Sequence, residues 1–439
     1  MELSKLKWGI YMKKDRKFWL ALVIFSLVGQ IAWVVENMYL NVFIYKMFHA
    51  SAEAISTMVA ASSVAATVTT LLIGALSDKL GKRKLFICAG YILWGISIWG
   101  FAAIRMDTVG ALFPAAASAA AVGVSLVIVL DCVMTFFGSA ANDACFNAWL
   151  TDATDETNRG AAEGINAMMP LVAILVVFGG FMAFDQDLPE TWTVIFGTIG
   201  TVVTVLGVLG FFLIQDPKLP AQKDSSYFGN LFYGFRPRVI GENRTLYLSL
   251  AALALFNISI SIFMPYLILY YTEALGLDNY VLIFAPAIVL AAAFTALYGR
   301  VYDKLGFQKA VVLPLGLLMA GYVILYCFRA TVPVFLGSLV MMCGYLGTGA
   351  MMGAIVRDLT PAGRAGMFQG QRIIHQVLIP GVLGPAIGAA VLKNAETMVG
   401  DDGTVSFIPN KNIFLAAFVA GLVLWAALIP LFRMIKKEK

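Results

Sequence analysis

Twelve apolar runs alternate with short polar connections along the 439-residue chain. An α-helix needs about 20 consecutive apolar residues to cross the hydrocarbon core of a bilayer, and backbone left unpaired in lipid is too costly for any open alternative. The runs fall at about 18–46, 54–76, 85–104, 121–150, 161–184, 191–214, 245–272, 279–300, 309–329, 333–357, 367–393 and 410–433. With 60% hydrophobic and only 13% charged residues, the composition excludes a water-soluble core with a charged shell. The expected fold class is an all-α polytopic membrane protein with twelve transmembrane helices.

The net charge of +5 is sorted by side rather than spread as a nucleic-acid surface. All but five of the 31 Lys and Arg fall in segments expected to be cytoplasmic; the exceptions are Lys46, Arg105, Arg329, Lys393 and Lys411. Positive charge marks cytoplasmic loops, so both termini are expected inside a cell membrane. The basic start (Lys5, Lys7, Lys13, Lys14, Arg16, Lys17) precedes an apolar run too long for a signal-peptide core, which is expected to stay as the first span. The five cysteines all fall inside spans and read as small packing residues.

Between the second and third runs lies GALSDKLGKRK, residues 74–84. Gly74 and Gly81 permit close approach and a sharp turn, Asp78 sits at the helix end, and Lys79, Lys82, Arg83 and Lys84 fix the loop on the cytoplasmic side. A second copy, YGRVYDKLGFQK, begins at Tyr298; Gly299, Asp303, Lys304 and Gly306 repeat Gly74, Asp78, Lys79 and Gly81 at a constant offset of 225 residues. Phe307 and Gln308 replace Lys82 and Arg83 there, so the second loop is expected to latch less tightly. A repeat that long means a duplicated half: six helices over 1–214, a cytoplasmic linker over 215–244, and six more over 245–439. The linker carries three prolines and a possible amphipathic segment around Tyr227–Phe235. A second echo follows the fourth and tenth runs, where Asp152 with Arg159 corresponds to Asp358 with Arg364.

The loop G-x-x-x-D-K-x-G-K-R-K between two spans resembles the signature of the major facilitator superfamily, and the resemblance covers essentially the whole chain. It implies two six-helix pseudo-repeats that carry a small solute by alternating access. It further implies a cytoplasmic gate at Gly74, Asp78, Gly81, Arg83, Asp143, Asp152, Arg159, Asp303, Asp358 and Arg364. The segment NAWLTDATDETNRGAAEG (147–164) also resembles, in part, the corresponding loop of the glycoside–pentoside–hexuronide:cation symporters, the melibiose permease group. That group supplies paired aspartates from its second helix; here MVAASSVAATVTTLLIG holds no carboxylate, so its sodium site does not carry over. The implied setting is a bacterial inner membrane, with a monomeric carrier.

An ionised side chain at the bilayer centre costs about 2.5–3.5 kcal/mol on insertion scales, so Glu36, Asp131 and Arg372 are functional candidates. In the first run Gln30, Trp33, Asn37 and Asn41 share one helical face, with Glu36 at its edge and Tyr39 a turn further. A carboxylate beside an indole and amides suits a sugar, whose ring stacks and whose hydroxyls need polar partners. The alternative is that Glu36 neutralises a structural cation on another helix. In the fourth run Asp131, Thr135, Gly138, Asn142, Cys145 and Trp149 form a polar or small stripe. Asp131 is suited to exchange a proton or to offer oxygen to sodium. The eleventh run carries Gln369, Arg372 and Gln376, with His375 as a proton relay or a packing residue. Asn257 and Ser261 precede Pro265 and three tyrosines, which read as a moving gate helix or an interfacial belt. Tyr345 stands among glycines that leave room for a ligand or serve close packing.

The expected partners are a small-molecule solute, a coupling cation (H+ or Na+) and the lipid bilayer, without nucleic acid. No phosphate-binding loop, metal-ligand cluster or nucleophile–base pair stands in the soluble segments, so neither an enzyme nor a cofactor or metal is expected. The solute expected first is a sugar or glycoside; the alternatives are an amphiphile or drug carrier of the same fold, or a membrane sensor or scaffold that transports nothing.

Overall fold

The computed structural model describes residues 16–155, 158–216, 233–361, 365–399 and 404–438. Twelve helices are long and apolar enough to cross a membrane. They are α1 Arg16–Phe48, α2 Ala52–Leu80, α3 Arg83–Ala103, α4 Ala119–Ala153, α5 Arg159–Phe181, α6 Pro189–Leu213, α7 Arg244–Ala274, α8 Val281–Leu305, α9 Phe307–Cys327, α10 Thr331–Leu359, α11 Gly370–Leu392 and α12 Asn412–Glu438. Each lies within a few residues of its expected run. The basic N-terminal residues up to Lys14, Glu156 and Thr157, the linker over 217–232 with Tyr227, and Arg364 lie outside the described residues, as do the side chains of Asp78, Asp303 and Gln369. The last part of the expected amphipathic segment, Tyr233–Phe235, is a single 3-10 turn.

Local chemistry sets the ends of these helices. Gly81 and Gly306 both take left-handed backbone, at φ +63° and +71°, which terminates α2 and α8 at the two copies of the repeated loop. Ser118 caps α4 by accepting the Ala121 N–H. Pro265 deletes a ladder hydrogen bond in α7, and the helix tightens to a 3-10 turn over Met264–Tyr266.

Two structures interrupt connections that read as plain loops. A short helix, Met106–Leu112, follows α3. An antiparallel hairpin, β1 Thr397–Val399 with β2 Val405–Phe407, joins α11 to α12. Exposed Val68, Leu72, Ile96, Phe212, Leu297 and Val419 cover the outer faces of the helices. Apolar exposure on that scale suits hydrocarbon, not water.

The chain groups into two compact units. The first comprises residues up to Phe48 and Ala65–Ser225; the second comprises His49–Val64 and Ser226–Lys439. The start of α2 therefore belongs with the second unit, where Tyr266 Oη donates to the Ala52 carbonyl (2.9 Å) and Ser63 lies against Gly381. His49, the one non-glycine residue at positive φ among the described residues (50°), stands at this division with its Nδ1 3.0 Å from Ser406 Oγ.

Inside each unit, small residues let backbones touch, because lipid tails solvate leucine as well as another helix does. In the first unit α3 meets α6 at Gly95 and Gly200, where an added Cβ would come 2.5 Å from the Gly200 carbonyl. In the second unit Gly321 and Gly344 join α9 to α10, and a Cβ on Gly344 would come 2.1 Å from Leu318 N. Buried polar groups pin these contacts. Ser259 Oγ donates to the Ala417 carbonyl (2.9 Å), so Tyr322 Oη donates to Ser259 (3.0 Å). Overpacking at such a contact costs about 1–3 kcal/mol. Gly344→Ala is expected to lower the thermal unfolding midpoint in detergent by several degrees. Gly316→Ala on exposed α9 surface, with nothing within 4 Å, leaves it unchanged or slightly raised.

Candidate functional site

Among the described residues four helices contain a π-helical turn, and each such turn holds an ionisable side chain: Val35–Tyr39 in α1 holds Glu36, Ser139–Phe146 in α4 holds Asp143, Tyr270–Ala274 in α7 holds Glu273, and Ile374–Leu378 in α11 holds His375. A π turn inserts one residue, breaks the regular i→i−4 ladder and re-aims side chains, which is why such turns cluster at functional sites.

In the first unit this re-aiming turns Glu36 inward. It is 7% exposed, and Thr135 Oγ1 of α4 donates to its Oε1 at 2.7 Å. Its Oε2 is buried and has no hydrogen-bond partner among the described residues. Asp131 and Asp143 both act on it electrostatically, and none of the described cations pairs with it. The reading of Glu36 as a neutraliser of a structural cation is therefore not what the described residues present. A small cavity of about 10 Å³, room for one water, touches Glu36, Val35 and Met134. Two further carboxylates on α4 thus bear on Glu36, whose second oxygen is left without a described donor.

The other residues of that face separate. Trp33 is half-buried against Trp94 (5.1 Å between ring centroids), with its Nε1 unpartnered. Asn37 is exposed and its Nδ2 donates to the Trp33 carbonyl (2.8 Å). Tyr39 departs from expectation. It is fully buried, edge-on to Phe178 and Phe181 of α5, because the extra residue of the π turn rotates it off the Trp33–Asn37 face and into the helix packing.

Asp143 accepts from Ser139 Oγ (3.0 Å), and its charge is felt by Glu36 and by Tyr91. Tyr91 Oη in turn accepts from Asn142 Nδ2 (2.6 Å) and donates to the Phe25 carbonyl (2.9 Å). These contacts set Asp143 among the interior acids of the unit. Sequence periodicity placed Asn142 on the α4 stripe but missed Tyr91, which lies on α3 and meets Asn142 only through tertiary packing.

A polar cluster at the ends of α2, α3 and α4, where the latch is expected, centres on Arg83. Its Nε donates to Asp152 Oδ2 (3.2 Å) and its Nη1 to Ser77 Oγ (2.5 Å), while Ser77 donates to the Gly74 carbonyl. Arg159, expected beside Asp152, instead donates to the Thr151 and Thr154 carbonyls. Asn158 and Arg159 open α5, which turns that guanidinium back onto the end of α4. In the second unit Gln308 stands where Arg83 stands in the first copy. It donates to the Phe432 carbonyl (2.5 Å), and Asp358 accepts from Tyr302 Oη instead (2.5 Å).

Also in the second unit, Arg372 Nε donates to Gln376 Oε1 (3.2 Å) along its own helix. Its side chain is exposed rather than enclosed among the acids of α1 and α4. His375 Nδ1–H donates to the Gln371 carbonyl (2.8 Å), which leaves Nε2 as the acceptor of the neutral ring. Asn257 is half-buried with Nδ2 unpartnered, and Tyr345 stacks on the neighbouring Phe256 at 6.2 Å. Tyr266, Tyr270 and Tyr271 are all buried, so they form no interfacial belt; Tyr271 bonds Ser338.

The folded chain is similar to several solved transporters. The nucleoside transporter NupG superposes with a TM-score of 0.68 at 12% identity over 94% of this chain and 98% of that one. A bacterial homologue of the human lysosomal transporter Spinster gives 0.71 at 15% over 97% and 99%. The E. coli xylose transporter XylE gives 0.65 at 13% over 93% and 97%. At these identities the likeness is one of fold. No curated protein sequence matches the chain significantly. Residues 18–385 match the Major Facilitator Superfamily pattern, and with its twelve apolar helices the chain belongs to that superfamily of membrane transporters.

Proposed function

We propose that this transporter moves a small polar organic solute, a sugar or glycoside first, by alternating access, and that a cation neutralises Glu36, Asp131 and Asp143 as part of the cycle. The observation that carries the reading is Glu36: buried, held by Thr135, acted on by two further acids and paired with none of the described cations. A proton or Na+ bound there supplies the missing charge, with carboxylate and hydroxyl oxygens as ligands of the kind that hard cations take. The solute reading is supported by unpartnered or exposed amide and indole groups beside aromatic faces: Trp33 and Asn37 in the first unit, Asn257, Gln376 and Tyr345 in the second. The fold neighbours include a xylose transporter and a D-xylose-proton symporter, which fits that order of preference. His375, with Nε2 free of its helix, is assigned a proton-relay role, and Arg372 an attraction for electron-rich solute groups. The repeated loops close the cytoplasmic side: Gly74, Asp78, Gly81, Arg83, Asp152 and Arg159 in the first half, and Asp303, Asp358 and Arg364 in the second. The finer kinship with melibiose permease rests on residues 147–164 and the general layout.

Reconstituted into liposomes, the protein is expected to exchange sugar in counterflow and to accumulate it under a cation gradient. Asp131→Asn or Glu36→Gln should abolish accumulation while leaving exchange. Accumulation that survives both changes removes these carboxylates from coupling. Efflux of hydrophobic dyes without sugar exchange supports the amphiphile carrier instead, and no flux under any gradient supports a sensor.

Arg83→Ala leaves Asp152 without its described guanidinium partner; Arg83 is 8% exposed. Stripping one partner from a largely buried pair destabilises by up to about 3–5 kcal/mol, less where water reaches it. The variant is expected to unfold several degrees lower and to exchange solute more slowly. Arg83→Lys recovers little of either, since an ammonium cannot serve Ser77 and Asp152 with a fork. Wild-type behaviour of Arg83→Ala in both measurements would remove the latch.

A further inference from the structure

At the outer end of the first unit, a cavity of about 240 Å³ opens between α1, α3, α6 and the short helix Met106–Leu112, with Phe101 between it and the small cavity at Glu36. Phe43, Phe101 and Trp192 wall it, and Arg105, Met106 and Asp107 close its end. The volume has room for a polar headgroup. Arg105 Nη2 donates to Glu190 Oε1 (3.0 Å), and its Nε lies 3.5 Å from Asp107 Oδ1 without making a hydrogen bond to any described residue. Nearby, Lys46 is paired to Asp187 at 2.7 Å. Two cations therefore stand among three carboxylates.

Two demands follow from this arrangement. The Nε–H of Arg105 calls for an acceptor oxygen that the protein does not supply at bonding distance. The local excess of negative charge disfavours a purely anionic occupant and favours one that brings a cation with its oxygen. The position calls for a lipid rather than a dissolved solute. Met106, Leu112 and Phe113 are 41%, 70% and 44% exposed while Val109 of the same helix is buried, so this element lies as an interfacial helix at the bilayer edge. Acyl chains of a molecule seated by its head can run down that exposed apolar rim.

From this we infer that the cavity holds the headgroup of a zwitterionic phospholipid from the outer leaflet, its phosphate on Arg105 and its ammonium against Asp107 and Glu190. The site is separate from the transported solute and from the coupling carboxylates, and it ties α1, α3 and α6 together at their outer ends. The walls Phe43 and Trp192 are themselves in contact at 5.3 Å.

Native mass spectrometry of the full chain tests this, after equilibration with nanodiscs of equal parts phosphatidylethanolamine, phosphatidylcholine and phosphatidylglycerol with matched chains. The zwitterionic lipids should be retained over phosphatidylglycerol. Arg105→Gln should cut their retention about tenfold, and Glu190→Gln, which removes one negative charge, should raise retention of phosphatidylglycerol. Should Arg105→Gln fail to fold, Arg105→Lys keeps the charge, loses the fork and is expected to show the same loss of preference. Retention of phosphatidylglycerol equal to the others, or retention indifferent to Arg105, overturns the proposal. Displacement of the lipid by millimolar free phosphoethanolamine overturns the lipid source, and marks the cavity as a site for a soluble zwitterion.

Discussion

A carboxylate at membrane depth with a single neutral donor is an unstable arrangement unless something positive comes to it. Glu36 is such a group: Thr135 satisfies one oxygen, the other meets no described donor, and two more acids bear on it. Water solvates an isolated charge cheaply and hydrocarbon does not, and a hydroxyl returns only part of the difference. All three acids lie on α1 and α4 of one unit. The net charge of that unit's interior therefore depends on whether a cation is bound. In the carrier proposed here, a unit with uncompensated charge cannot enclose its site in a dry environment, whereas a neutralised one can. Charge compensation and permission to close become the same event.

The π turns are what bring these groups into position. A regular α-helix would carry Glu36 on the edge of the Trp33–Asn37 face and Tyr39 a turn beyond. The inserted residue separates the two, sending the carboxylate toward Thr135 and the phenol into Phe178 and Phe181. The turn in α4 holds Asp143, which accepts from Ser139, and Asn142, which donates to Tyr91. Broken ladders of this kind expose backbone carbonyls that a regular helix would spend on itself, and in lipid they are tolerated where protein surrounds them. Both turns lie where buried side chains crowd the helix, which fits that rule.

Much of the architecture was legible because it rests on strong, one-dimensional constraints. Apolar run length gave the twelve spans, and the glycine spacing of the repeated loop gave its two turns; Gly81 and Gly306 share the left-handed backbone that only glycine adopts freely. In the second loop Gln308, which replaces Arg83, donates to the Phe432 carbonyl, and Asp358 accepts from Tyr302. What was not legible depended on register or on tertiary choice. Tyr39 moved because periodicity assumes an unbroken helix. Arg159 was matched to Asp152 by nearness in sequence, but Arg83, 69 residues away, holds that carboxylate. The hairpin over 397–407 and the helix over 106–112 are too short to leave a periodic trace.

The absence of carboxylates from the middle of α2 acquires a physical meaning beside these contacts. Over residues 54–77 that helix offers only small, aliphatic and hydroxyl side chains, and its first residues pack with the second unit through Ala52 and Ser63. A helix whose residues divide between two compact units is poorly placed to hold a charge-compensated cluster, which needs its ligands gathered in one packed unit. Glu36, Thr135, Asp131 and Asp143 avoid that difficulty by belonging to helices that lie wholly within one unit. A cation held among them would keep its ligands whatever α2 does, so that binding geometry and helix movement are separated by construction.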